Sequence, residues 1–588
     1  MPWKTAQAQS ENAYYPPALT GLRGNHQGSN IAAHTFALDA KPFSFDDLIP
    51  KENYDLIIVG AGISGLSAAW LYREKYPNAK ILILDNHDDF GGHAKRNEFG
   101  NGETFQLSNG GSESLESPHY HFNDNVNSLL KKIGIDYDKF YQYYDQNIYP
   151  SMGMQSGVFL DKKNWGETKI LKGDIFEDGA DFIPTIQNLP LSDSDKQSLS
   201  NIFQGEENYL PEVEGDEAIE AYLSKISYEK YLRENVGLSE AAAKLFRGIT
   251  IDEWGYPYDL YSAWDACKDD YPGFGGLAWS EDDEPEEEED PYIFIYPDGN
   301  ATIARLLVKH LIPEVSAAKA NQEEIVTAVF DYQQLDKAEH PVRIRLNSTA
   351  VNIKNTDDGV NVGYVSHNKQ RNLIHAKKVI LACNNGIIPA ICPETSLEQK
   401  NALHQNVKTA LLYAKVFVKN WEPFIKLGTD YVYAPTAPYS LIRLNYPINI
   451  GNYKTQTDPT KPMVIHMVKS VVPYASGQSL RGADRLGRRQ LIYQSYAELE
   501  AELLAQLNEF YALADAKPEI LAVTINRWAH GYSYEKKHLW DDYDQIDQII
   551  DTARQPIGNI HIANSDSAWT AYIEAAINEA YRTIEEIG

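Results

Sequence analysis

Asp55-Leu56-Ile57-Ile58-Val59-Gly60-Ala61-Gly62-Ile63-Ser64-Gly65 is the stretch that decides how this chain folds. A short apolar strand enters a turn carrying three glycines, and Leu66 to Tyr76 then follows a helical pattern. Lys80-Ile81-Leu82-Ile83-Leu84-Asp85 reads as a second strand, whose last acid lies 20 residues past Gly65. Three glycines alone are a weak signal; strand, turn, helix, strand and acid in this order form a dinucleotide-binding fingerprint. Gly60 permits the turn, Gly62 lets the backbone approach a pyrophosphate, and Gly65 lets helix and strand pack closely. Ile63 and Ser64 open the helix, whose N–H groups and partial positive charge suit a diphosphate. Asp85 is placed to accept from ribose hydroxyls.

The residues beyond Asp85 separate a flavin from a nicotinamide dinucleotide. Asn86-His87-Asp88-Asp89-Phe90-Gly91-Gly92-His93-Ala94-Lys95-Arg96 resembles the second signature of FAD-dependent amine oxidases. In many of those proteins an arginine follows the glycine pair; here His93 takes that place and Arg96 comes later. Asn109-Gly110-Gly111-Ser112 resembles a stretch that touches flavin. Asn347-Ser348-Thr349-Ala350-Val351 resembles the segment whose valine meets the adenine, and Val379 to Cys383 the strand beside it. Ala563-Asn564-Ser565-Asp566-Ser567 resembles the C-terminal element, with Asp566 at the ribityl–diphosphate region and Ala571-Tyr572 at the ring. These resemblances imply FAD as cofactor.

Charge and composition narrow the partners. With 53 basic and 83 acidic side chains the chain carries a formal charge of −30, which argues against nucleic acid and favours cationic small molecules. Three cysteines, Cys267, Cys383 and Cys392, make no disulfide framework and no zinc or thiol-redox motif. The most apolar stretch, Leu56 to Tyr72, is broken by glycines, so no membrane span is predicted. Ala6-Gln7-Ala8 has the small-x-small form of a signal cleavage site. Glu281 to Asp290 reads as a solvated acidic loop or a cation-attracting rim.

The predicted fold class is α/β: a Rossmann-like FAD-binding domain of the glutathione-reductase type, interleaved with an α+β substrate domain. Residues 1–52 are read as an N-terminal arm, and 53–120, 296–400 and 521–588 as three parts of the FAD-binding domain. Residues 121–295 are read as a mostly helical substrate part and 401–520 as the substrate-domain sheet.

A narrower resemblance spans nearly the whole chain. Tyr14 to Gly24, Phe90 to Phe99, Pro297-Asp298-Gly299-Asn300-Ala301, Asn526-Arg527-Trp528-Ala529-His530-Gly531-Tyr532 and Ala563 to Asp566 resemble bacterial spermidine dehydrogenases. The resemblance implies a polyamine oxidised by hydride transfer from the carbon beside an amine nitrogen to flavin N5, then imine hydrolysis to aldehyde and amine. It also implies haem b in some members, for which His26 and His34 are axial candidates, and a periplasmic home, with the cytoplasm as the alternative. The electron acceptor, the oligomeric state and the flavin-adjacent lysine of many amine oxidases are not fixed by pattern.

The chemistry itself sets a requirement. An alkyl ammonium has a pKa near that of lysine, about 10.4, so the site must desolvate the reacting nitrogen while holding the remaining cation on carboxylate or aromatic faces. Trp528, Tyr532, Tyr534 and Trp569 are candidates for an aromatic wall, and Glu113 or Glu574 for the anion. His530 is a conceivable base, although a structural histidine fits its pattern as well. His119 and His121 lack a third ligand, so no metal is predicted. Two other readings stay open: another FAD oxidoreductase of this fold, such as an amino-acid oxidase using Arg443 or Arg527 as a carboxylate clamp or a desaturase, and a non-catalytic flavin or haem carrier.

Overall fold

The computed structural model describes residues 14–37, 43–176, 182–277 and 290–588. Ala6–Ala8 and most of the 281–290 acid run lie outside them. Two sheets organise the chain. In the first, Asn53–Val59 is central, flanked in parallel by Ile81–Leu84 on one side and Arg371–Leu381 on the other. Leu56, Ile57 and Ile58 are fully buried, as expected of a parallel strand covered on both faces. Val342–Arg345 extends one edge, Gly359–Ser366 and Ser348–Thr356 the other, and Ile560–Ile562 pairs with the end of Arg371–Leu381. This is the expected Rossmann-like domain, assembled from segments more than 500 residues apart.

Helix Ile63–Lys75 packs on that sheet and against the C-terminal helix Ile573–Ile587. Gly65 makes the packing feasible, because a Cβ there would stand 2.0 Å from the Gly60 carbonyl oxygen. Gly60 itself has φ +116, with the Ala382 carbonyl oxygen 2.3 Å from where its Cβ would be.

The second sheet has eight strands in the order Gly21–Gly24, Ile520–Trp528, Leu411–Val418, Met463–Ser470, Leu441–Leu444, Thr429–Tyr433, Gln155–Leu160 and Lys169–Lys172. It corrects three expectations. Ile520–Trp528 belongs to this substrate-side sheet, antiparallel to Leu411–Val418, not to the third FAD-binding part. Gln155–Leu160 and Lys169–Lys172 form a strand pair inside the region read as helical; strands of six and four residues are too short for alternation to outweigh their helical surroundings. The arm supplies a parallel edge strand, Gly21 opposite Thr524 through Gly24 opposite Arg527.

Elsewhere local chemistry sets the helices. Ser495 and Glu498 form a capping box on Tyr496–Ala512, which buries Leu499, Leu503, Leu507 and Phe510. Asn123 caps Asp124–Lys132 by accepting from the Val126 N–H. The C-terminal helix begins at Ile573 rather than Trp569, because Ser565–Ser567 is a 3₁₀ turn and Trp569 has φ +53. Among the described residues no helix is long and apolar enough to cross a membrane.

Candidate active site

A cavity of about 730 Å³ runs between the two sheets. Gly60, Gly62, Ile63 and Ser64 line it, with Asp85, Asn86, Gly91, Gly92 and His93 beside them. Helix Ile63–Lys75 has Gly62 at its N-cap and no side-chain cap, which leaves the first N–H groups of the helix available to an anion. A Cβ on Gly62 would meet only Gly92 Cα, at 3.7 Å, so the absent side chain leaves room for a ligand. Asp85 accepts from the Ala61 and His87 N–H groups, each at 2.8 Å, and burial raises its pKa. Asp566, Ala571 and Tyr572 close the opposite wall. Asp566 accepts from Lys408 Nζ at 2.5 Å and from the Asn385 N–H at 3.0 Å. The fully buried Asn385 leaves its Nδ2 without a protein partner. Volume, exposed helix N-terminus and glycine clearance together suit a flavin dinucleotide.

Several predicted cofactor residues lie elsewhere. Gly65 acts inside the fold. Arg96 is buried against Glu98 at 2.6 Å and Asp298 at 2.9 Å, so it does not meet the ligand; two carboxylates and the Val326 carbonyl oxygen hold it. Val351 packs with Phe45, Val365 and Leu373, and Ser348, Thr349 and Ala350 line the cavity instead. Asn109 and Gly110 sit one layer back: Asn109 bonds Glu113 and Lys415, and the Gly110 carbonyl accepts from Trp528 Nε1 at 2.6 Å. Gly111 is on the wall. Burial drives the His93 pKa down to about 4, so the residue after the glycine pair is a neutral histidine, bonded through Nε2 to the His530 carbonyl at 2.6 Å.

The arm covers part of this site. Arg23 makes two 2.8 Å bonds to Asp88, Asn86 donates to the Ser29 carbonyl, and Asn25, Asn30 and His34 line the cavity. The haem candidates separate here. His34 is on the cavity wall, whereas His26 faces the Gly24 carbonyl and Asp88.

The other end is aromatic. Trp528, Tyr532 and Tyr413 line it, with the two tyrosine hydroxyls 2.5 Å apart. Trp569 and Tyr534 do not: they stack edge-on at 5.2 Å in a separate cluster with Tyr256 and Leu260. Trp569, at φ +53, is not among the residues that line the cavity. Glu113 is no free anion either. Arg443 bonds it at 2.5 Å, and Asn109 and Tyr446 each at 2.7 Å. Glu574 lies on the first turn of the last helix, and burial pushes its carboxyl up to about 7.

The residue that sequence reading missed is Lys415. Every residue of Leu411–Val418 is buried, and Lys415 stands among them bonded to Asn109 Oδ1 at 2.7 Å and to His466 Nδ1. Burial, with Arg443 adding to it, lowers its pKa well below the lysine range. A single lysine inside an apolar strand was the available signal.

Comparisons with known proteins agree with this geometry. Residues 58–133 match the NAD(P)-binding Rossmann-like domain, and residues 274–587 match the family described as flavin containing amine oxidoreductase. Putrescine oxidase bound to putrescine superimposes with a TM-score of 0.50 at 16% identity, covering 91% of this chain and 99% of that one. A protein from Exiguobacterium sp. 255-15 named for protoporphyrinogen oxidation gives a TM-score of 0.53 at 15% identity, covering 92% and 99%. At these identities the likeness is one of fold. Uncharacterized protein R188 of Acanthamoeba polyphaga mimivirus is 33% identical over 79 residues, 13% of this chain and 14% of that protein's length.

Proposed function

The chain belongs to the flavin containing amine oxidoreductase family, and from that premise we propose that it is an FAD-dependent dehydrogenase or oxidase of a spermidine-like polyamine. Bound FAD supplies a hydride acceptor for the carbon beside an amine nitrogen; hydrolysis of the resulting imine gives aldehyde and amine. Gly60 to Ser64 and Asp85 would hold its diphosphate and ribose, Asp566 and the turn before Ile573 its ribityl–ring end. The protein's own contribution is to position the amine against Trp528, Tyr413 and Tyr532 and to strip water from the reacting nitrogen. Lys415, its pKa lowered well below the lysine range by burial, stands one layer behind that wall and suits proton exchange with a bound water.

One observation carries the choice of an amine over an amino acid. The candidate arginines are committed: Arg443 to Glu113, Arg527 to the Asn25 and Gln494 carbonyls, and Arg488, on the cavity wall, to the Ala529 and Lys408 carbonyls. Each already holds protein acceptors, whereas tyrosine faces and the overall charge of −30 favour a cation. Solved relatives of this fold include one named for putrescine and one named for protoporphyrinogen, so the substrate is decided by experiment. Anaerobic addition of spermidine to the flavin-loaded protein is expected to bleach the flavin. No bleaching across a panel of polyamines and monoamines would defeat the reading. The oxidised spectrum tests haem b in the same cuvette: a Soret band would support it, with His34 the axial candidate on the cavity wall.

A further inference from the structure

We propose that Asp252, whose carboxylate meets Tyr431 and whose backbone carbonyl meets Tyr532, is the subsite for a second ammonium group of the substrate, so that diamines and polyamines are preferred over monoamines of the same length. The inference rests on the amine reading above and adds to it the residue that selects the class.

The case begins with placement. Asp252 lies on the short helix Ile251–Trp254, which ends at Gly255. Gly255 is pressed against the cavity wall, since a Cβ there would stand 3.5 Å from Tyr532 and 3.6 Å from Leu411. The Asp252 carbonyl accepts from the Tyr532 hydroxyl at 3.1 Å, and that hydroxyl meets Tyr413. Asp252 therefore stands behind the hydroxyl end of Tyr532, whose ring lines the cavity beside that of Tyr413, and is itself outside the lining.

Its carboxylate is the second observation. Oδ2 accepts from the Tyr431 hydroxyl at 3.4 Å, a long contact, and no described lysine, arginine or histidine forms an ion pair with it. Two other anions on this cavity's walls are matched, Glu113 with Arg443 and Asp566 with Lys408, whereas the neighbouring Glu253, like Asp252, has a tyrosine hydroxyl and, among the described residues, no ion pair. A half-buried carboxylate without an ion pair is costly in proportion to its burial, and Glu113, Arg443 and Lys415 are the charged groups that face it. Burial and Glu113 raise its pKa to about 6, the state expected of an acid whose counter-ion is missing. A carboxylate without an ion pair, with tyrosines beside it, suits an alkyl ammonium. An amine whose reacting carbon is at the cavity would run its methylenes along the tyrosine faces toward this anion.

The test uses the flavin-loaded protein under anaerobic conditions, with 1,4-diaminobutane and n-butylamine as probes and flavin bleaching as the readout. Asp252→Asn is expected to lower the ratio of the flavin-reduction rate constant over Kd for the diamine over the monoamine by about 30-fold, mostly through Kd, as for loss of one partner of a charge pair. Asp252→Glu should recover part of it. In the wild type, diamines should perturb the flavin spectrum at concentrations at least about tenfold below monoamines of equal length. This comparison needs no variant to fold. A diamine advantage that is absent in the wild type, or unchanged in Asp252→Asn, overturns the subsite while amine oxidation stands. Wild-type flavin that no amine reduces overturns both.

Discussion

The dinucleotide end and the aromatic end share one cavity but are built by different means. At the first, backbone shape makes the site: a glycine at φ +116, a helix start with no side-chain cap, and a helix seated 2.0 Å from a carbonyl at the missing Cβ. At the second, side chains matched in pairs make it: Glu113 with Arg443, Lys415 with Asn109 and His466, Tyr413 with Tyr532. A site made of backbone cannot tolerate a Cβ, whereas a site made of pairs cannot tolerate losing one partner. The contrast orders the expected effects of substitution.

The largest effect belongs to the backbone. Gly65→Val puts side-chain atoms inside the Gly60 carbonyl contact, and a folded, flavin-bearing protein is not expected; the loss should exceed about 4 kcal/mol. The flavin-to-protein ratio and the thermal midpoint of the purified variant measure it. A yellow Gly65→Val protein with an unchanged midpoint would break the comparison at its stronger side. Asp566→Ala comes next. It leaves Lys408, 5% exposed, without its anion, at about 3–5 kcal/mol, and flavin occupancy should fall with it. Full occupancy would mean that Asp566 does not meet the cofactor.

The same contrast explains what the sequence disclosed. Gly60, Gly62, Gly65 and Asp85 lie within 26 residues of one another, and each performs a local geometric task, so spacing alone announced the strand, turn and helix. The aromatic end joins Lys415, Arg443, His466 and Trp528, which meet through strand pairing across the second sheet, with Asn109 from a separate strand pair and Asp252 from a short helix. No local pattern encodes which arginine neutralises which glutamate, so Glu113 was read as free and Lys415 was not seen. Trp569 failed for a local reason: a left-handed residue with a side chain at the end of a 3₁₀ turn has no composition signature. The strand Ile520–Trp528 was legible as a strand, but its sheet was not, because sheet membership is set by partners about a hundred residues away.

The matched pair at the aromatic end gives a sharper test of the second rule. Arg443→Met strands Glu113, and Glu113→Gln strands Arg443, each at about 3 kcal/mol. The double variant leaves neither charge unmatched and should be more stable than Arg443→Met, with a coupling of about 2 kcal/mol. Denaturation midpoints of the four proteins give this number. Strict additivity would show that the two side chains do not act as a unit. If Glu113→Gln instead lost amine discrimination with stability intact, Glu113 would be the anchor and the comparison would have to be redrawn.

The smallest effect concerns Asp252, an acid of this end that has no ion pair among the described residues. Asp252 has its carboxyl raised from 3.8 to about 6 by burial and by Glu113. Between those values the folded protein holds a proton that the unfolded chain has already released, so stability falls as pH rises through the window from about 4 to 6. The deficit is fully present above pH 6. It is about 1–3 kcal/mol, the upper figure being the full shift and the lower one allowing for solvent at a partly accessible side chain. Asp252→Asn, which has no proton to release, should therefore lose less stability than the wild type between pH 4 and 7, and be the more stable protein at pH 7. Urea midpoints at several pH values measure the difference. Adding 1,4-diaminobutane should narrow it from the wild-type side, because a bound ammonium supplies the cation that the fold leaves out. A variant that is less stable at pH 7 would mean that Asp252 already has its counter-ion within the protein, and that the second half of the cavity wall is matched throughout.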